Sequence, residues 1–177
     1  MQKLATKWFV IPALACLSGW VYAEDNSSKE QPLVEITWQE PESYTDVKPG
    51  NESRKRFRER VFKELDEYFN KLAEQLPEGQ TLNVTVTNLD LAGQVWPTFG
   101  MGARDIRIIE SMFIPRMAFS YELKEGGQVM KSAEVSIKDM SFMNSTARFR
   151  TNEPFAYEKF MIKRWFNQEF DSALASS

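Results

Sequence analysis

Histidine is absent from the 177-residue chain, and cysteine occurs once, at Cys16. The first absence removes the commonest general base and metal ligand near neutral pH. The second rules out a disulfide within the chain and a structural zinc site built on Cys and His. Positive charge is also short. The 22 Lys and Arg residues face 25 Asp and Glu, so no general basic field for nucleic acid exists. Long apolar runs are lacking too. The longest, from Trp8 to about Val21, falls below the ~20 apolar residues that a bilayer span needs.

That run has a different meaning. Lys3 and Lys7 precede it, and Val21-Tyr22-Ala23 follows before Glu24. A charged start, an apolar middle and a small-residue exit define a cleavable secretory signal, so residues 1–23 read as a signal peptide cut after Ala23. No twin-arginine pair is present, which favours the general secretory route. The expected address is the periplasm. A lipoprotein anchored at Cys16 is the alternative, although Ala13 stands where a leucine is usual. An uncleaved anchor is the weaker remaining case. Cleavage leaves 20 basic against 25 acidic residues, a net of −5, no cysteine and no transmembrane span.

The remainder suits one domain. Residues 24–32 are polar and read as a disordered leader, and 33–177 as a single α+β domain. Leu33–Trp38 is rich in β-branched and aromatic residues, as a strand requires. Ser53 is placed to cap a helix over about 54–75, although Arg56 stands where a capping box wants Glu. Phe57, Val61, Leu65, Tyr68 and Leu72 recur at spacings of three and four and give that helix one buried face. Pro77 and Gly79 stop it. Leu82, Val84 and Val86 alternate with Asn83, Thr85 and Thr87, the pattern of a half-solvated strand. Ala92–Ala103, with three glycines and a proline, reads as a loop. Short strands follow at 106–109 and from Pro115, and Gly126-Gly127 signals a hairpin returning through 129–137. Residues 141–153 read as irregular. A last helix is expected over about 154–171, with Pro154 in its first turn. The order is β-α-β-β-β-β-α. It implies one mainly antiparallel sheet of four to five strands with two helices on one face.

Leu76-Pro77-Glu78-Gly79-Gln80-Thr81-Leu82 runs into Asn88-Leu89-Asp90-Leu91-Ala92-Gly93. With Asp105–Ile109, Pro115-Arg116, Lys138-Asp139-Met140, Tyr157-Glu158-Lys159 and Trp165-Phe166, these stretches resemble a family of secreted proteobacterial proteins, domain of unknown function 3016. Asn88 stands where that family often has Asp. The resemblance implies a Gram-negative envelope protein and carries no activity or catalytic residue with it.

Four residues are binding candidates: Trp96, Phe99, Asp90 and Arg104. The loop holding Trp96, Phe99 and Met101 suits a partner or ligand surface, unless its aromatics tuck over the core. Asn88 and Asp90 offer oxygen ligands for a hard cation, but calcium wants six or more. The plainer reading is that Asp90 caps a turn. Arg54, Lys55, Arg56, Arg58 and Arg60 crowd the start of the first long helix, where cations oppose its dipole. They suit anionic lipid head groups or an acidic partner. Glu59, Glu64, Asp66 and Glu67 can equally pair with them. The last helix is apolar over a wide arc, enough to pack on its neighbour helix or on a second subunit. Asp46, Asp90, Asp105 and Asp139 are the carboxylates from which a hydrolytic pair would have to come.

No catalytic residue, metal site or cofactor is assigned. The expected function is a non-catalytic binding or envelope-accessory module that uses the Trp96 loop or the open sheet face, with an envelope protein or ligand as partner. The alternative is a carboxylate-dependent hydrolase.

Overall fold

The computed structural model describes residues 32–100, 104–144 and 153–174. The segment expected to be a signal peptide, Cys16 and all but the last residue of the expected leader lie outside them, as do Met101 and residues 145–152.

Strand β1 (Val34–Trp38) leads through a loop into helix α1 (Arg54–Ala73). Ser53 caps α1 as its type suggests, with its hydroxyl accepting the Arg56 N–H at 3.2 Å. The buried stripe is Phe57, Val61, Leu65, Phe69 and Leu72. Val61, Leu65 and Phe69 are wholly enclosed, and side chains of this size contribute about 1.5–3 kcal/mol each on burial. Gly79, at φ +85°, then reverses the chain.

Strand β2 (Gln80–Asp90) is the spine. It pairs in parallel with β1 and antiparallel with β5 (Arg116–Glu125), which pairs antiparallel with β6 (Gln128–Lys138). The sheet order is β1-β2-β5-β6. Leu82, Val84 and Val86 face the core as the alternation requires. A register shift between Val86 and Asn88 then resets the phase. The extra residue of such a bulge turns Leu89 and Leu91 inward, where strict alternation would have put them out. Gly126 and Gly127 both take positive φ, as a type I′ hairpin turn demands.

Helix α2 (Ala156–Leu174) closes the layer. Met161, Ile162, Trp165, Phe166 and Phe170 join the same core cluster as α1, β2 and β5. These five apolar side chains of the helix are enclosed within the chain, while Tyr157 and Phe160 are half-buried. Trp165 stands edge-on to Phe119 at 4.7 Å, near Tyr121 and Phe170 as well. The architecture is the expected α+β layer. Its open face is polar, with Glu35, Thr37, Asn83, Thr85, Ser120 and Glu122 lining a shallow groove.

Two expectations need correction. The stretch after Ala92 is not all loop: β3 (Gln94–Trp96) pairs antiparallel with β4 (Ile106–Ile108) in a separate two-stranded sheet. The glycines and proline hid a three-residue strand too short to show alternation. Pro154 is not in the first turn of α2 either. Phe155 comes between them at φ +55°, a rare conformation for a bulky residue. It sets its ring edge-on to Phe57 at 6.1 Å, and the helix begins only at Ala156.

Candidate functional site

The end of β2 is where separate parts of the chain converge. After β1 the chain leaves the sheet and returns at Asp46, which bridges Asp90 in parallel. Asn88 holds the returning segment: its Oδ1 accepts from the Thr45 N–H at 2.9 Å and from the Thr45 hydroxyl at 3.1 Å. That role explains Asn88 without a cation. Asp90 accepts from Arg116 at 2.8 Å. Among the described residues no group of three or more His, Cys, Asp or Glu could hold a metal ion.

Arg107, on β4, ties the ribbon of β3 and β4 to the body. Its guanidinium donates to Asp46 Oδ2 at 3.0 Å and to the carbonyls of Ala92, Gly93 and Lys48. From the other side, Glu158 of α2 accepts the Ala92 N–H at 2.7 Å. Glu158 is 2% exposed. Burial pushes its carboxyl above the usual range; the Ala92 N–H, its own N–H and Arg107 oppose that shift, and Asp90 adds to it. Glu158, Arg107 and Phe155 line an apolar cleft of about 320 Å³ beside Leu91 and Tyr157. Glu158 and Arg107 fall in stretches that carry the family resemblance, but neither is a site candidate from the sequence. Their partners lie 14 to 66 residues away, so no local spacing announces them.

A second, polar cleft of about 270 Å³ lies at the root of the ribbon, lined by Asp46, Lys48, Asp90, Gly93, Met112 and Arg116 among others. It brings together two of the four carboxylates considered for hydrolysis. Each already accepts from an arginine, Asp46 from Arg107 and Asp90 from Arg116. Asp139 is buried apart from them, with Oδ1 accepting from the Ser141 N–H at 3.0 Å in an Asx turn and meeting Arg164 at 3.5 Å. Asp105 is exposed and enters through its carbonyl, which accepts from Asn51 at 2.9 Å.

The ribbon gathers three of the four binding candidates. Trp96 faces Ile106 across β3 and β4, and both are about half exposed, at 46% and 47%. Phe99 is 93% exposed. Neither aromatic tucks over the core. Arg104 is exposed, and its backbone N–H donates to the Thr98 hydroxyl at 2.7 Å, closing the loop across its two arms. Asp90 stands apart, at the ribbon's root.

Among the described residues no helix is long and apolar enough to cross a membrane. No curated protein and no solved structure matches the chain. A family model described as "Protein of unknown function (DUF3016)" matches residues 32–168, from before β1 into α2, and the chain belongs to that family.

Proposed function

We propose that the protein is exported to the periplasm and acts there as a non-catalytic binding module, presenting the β3–β4 ribbon to an envelope component. The observation that carries this reading is the exposure of Trp96 and Phe99 on a braced hairpin. Large apolar side chains held together in water lose the hydrophobic stabilisation that burial would bring, and such patches mark interaction surfaces. Arg107 and Asn51 hold the ribbon on the body, so the surface is formed before any partner arrives. The export half rests on the signal-like run before Glu24. Mass spectrometry of the mature N-terminus tests it: a chain starting at Glu24 supports cleavage, and an acylated Cys16 supports the lipoprotein.

The binding half is tested by crosslinking in envelope preparations. The native protein is expected to give crosslinked products that the double variant Trp96→Ser, Phe99→Ser loses while keeping its circular dichroism. An unchanged set of products from the folded variant would remove the ribbon from consideration. The hydrolase reading has one observation in its favour, the shared cleft of Asp46 and Asp90. Against it, each carboxylate is already paired with an arginine, Asp46 with Arg107 and Asp90 with Arg116.

A further inference from the structure

The ribbon does not stand alone. Gly50 packs so closely on β4 that a Cβ there would lie 2.4 Å from the Asp105 carbonyl oxygen. Asn51 donates to that same oxygen. Helix α1 starts at Arg54, and four residues reach at most about 14 Å. The apolar ribbon and the cationic start of α1 are therefore neighbours.

The charges there are unevenly matched. Arg58 is paired with Glu42 and Arg60 with Glu52. Lys55 meets Glu59 only loosely, at 3.9 Å. Lys48, Arg54, Arg56 and Arg104 are exposed and make no ion pair among the described residues. Asp105 is an exposed carboxylate beside Arg104, and Glu42 and Glu59 are exposed near the start of α1, so the group's charge is partly offset. Two of these cations, Arg54 and Arg56, lie in the first turn of α1, where positive charge opposes the helix dipole. Glu42 and Glu52 offset part of that opposition, and their close ion pairs go to Arg58 and Arg60.

We propose that this face docks on the surface of an anionic phospholipid bilayer, with Trp96, Phe99 and Ile106 entering the headgroup boundary and Lys48, Arg54, Arg56 and Arg104 meeting phosphate groups around them. The proposal deepens the binding reading above and rests on it. Aromatic side chains bordered by Arg and Lys are the composition that partitions into a membrane interface. An exposed cation gains from an anionic surface within a Debye length, and a helix N-terminus favours phosphate. A protein partner would be expected to meet the ribbon with a shaped pocket. A bilayer needs only exposed apolar side chains with cations near them, and Trp96, Phe99 and Ile106 with Arg54, Arg56 and Arg104 supply both.

The experiment uses the chain freed of residues 1–23 and two kinds of vesicle, pure phosphatidylcholine and phosphatidylcholine mixed with phosphatidylglycerol. Co-sedimentation is expected with the mixed vesicles, weakening as salt is raised, and not with the neutral ones. Trp96 emission is expected to shift to the blue, and Trp96→Phe to remove that shift. Phe99→Ser and the double variant Arg54→Gln, Arg56→Gln should each weaken binding by about tenfold or more, with near-ultraviolet circular dichroism unchanged. Absence of sedimentation with mixed vesicles at low salt, or sedimentation that neither variant weakens, overturns the proposal. Ribbon-dependent crosslinks to an envelope protein without vesicle binding would also overturn it while leaving the binding reading standing. Loss of both would overturn both.

Discussion

Glu158 concentrates the strain of the site in one carboxyl. It is enclosed, and it supplies the acceptor for the Ala92 N–H at 2.7 Å. Its folded pKa is raised, with burial as the largest cause, so the folded chain holds the proton more tightly than the unfolded one. The contribution of this group to stability is therefore greatest below the ordinary value of 4.5 and falls as pH rises through the raised folded value. Glu158→Gln keeps an acceptor for Ala92 and removes the charge. Urea titrations at a series of pH values should give this variant a flatter loss of stability above pH 4.5 than the parent. Glu158→Ala leaves the buried N–H unpaired and should cost about 1–3 kcal/mol. Parallel pH profiles for the parent and Glu158→Gln would show that burial does not raise the affinity of this carboxyl for its proton.

Among the elements, the ribbon depends on a close approach at its root. Gly93 sits at φ +79°, and a Cβ there would lie 2.4 Å from the Ile108 carbonyl oxygen and 2.7 Å from Ile109 Cδ1. Gly93→Ala should lose at least about 1–2 kcal/mol from the backbone conformation alone, and β4 must move besides. Amide exchange should quicken in β3 and β4 and stay slow in β2 and β5, a contrast that uniform quickening would refute. What was legible in the sequence follows from element length. Helix α1 repeats its apolar period over 20 residues and β2 alternates from Leu82 to Thr87 before its bulge, so both announce themselves. Strand β3 has three residues, and its identity is decided by its partner β4. The Trp96 loop could be recognised as a candidate from composition. Its bracing by Arg107 and Asn51 could not, because those contacts join positions brought together only by the fold.

At the scale of the molecule, one core cluster runs from Val34 to Phe170 and takes side chains from β1, α1, β2, β5 and α2. Val135 and Ile137 of β6 pack against it. No described element of the main layer has a core of its own, so loss of either helix exposes the same sheet face. The chain beginning at Glu24 should therefore unfold as one cooperative unit. Urea unfolding followed by far-ultraviolet circular dichroism and by tryptophan emission should give coincident transitions, with a slope of about 1–3 kcal/mol per molar. Trp165 is the buried reporter, at 6% exposure, set among Phe119, Tyr121 and Phe170. Trp96 is half exposed on the ribbon and Trp38 of β1 stacks on Phe62, so the double variant Trp38→Phe, Trp96→Phe is the background in which Trp165 alone reports. In that background a Trp165 transition at lower urea than the loss of secondary structure would mean that α2 leaves the sheet first. The layer would then be two cooperative units joined by a shared face.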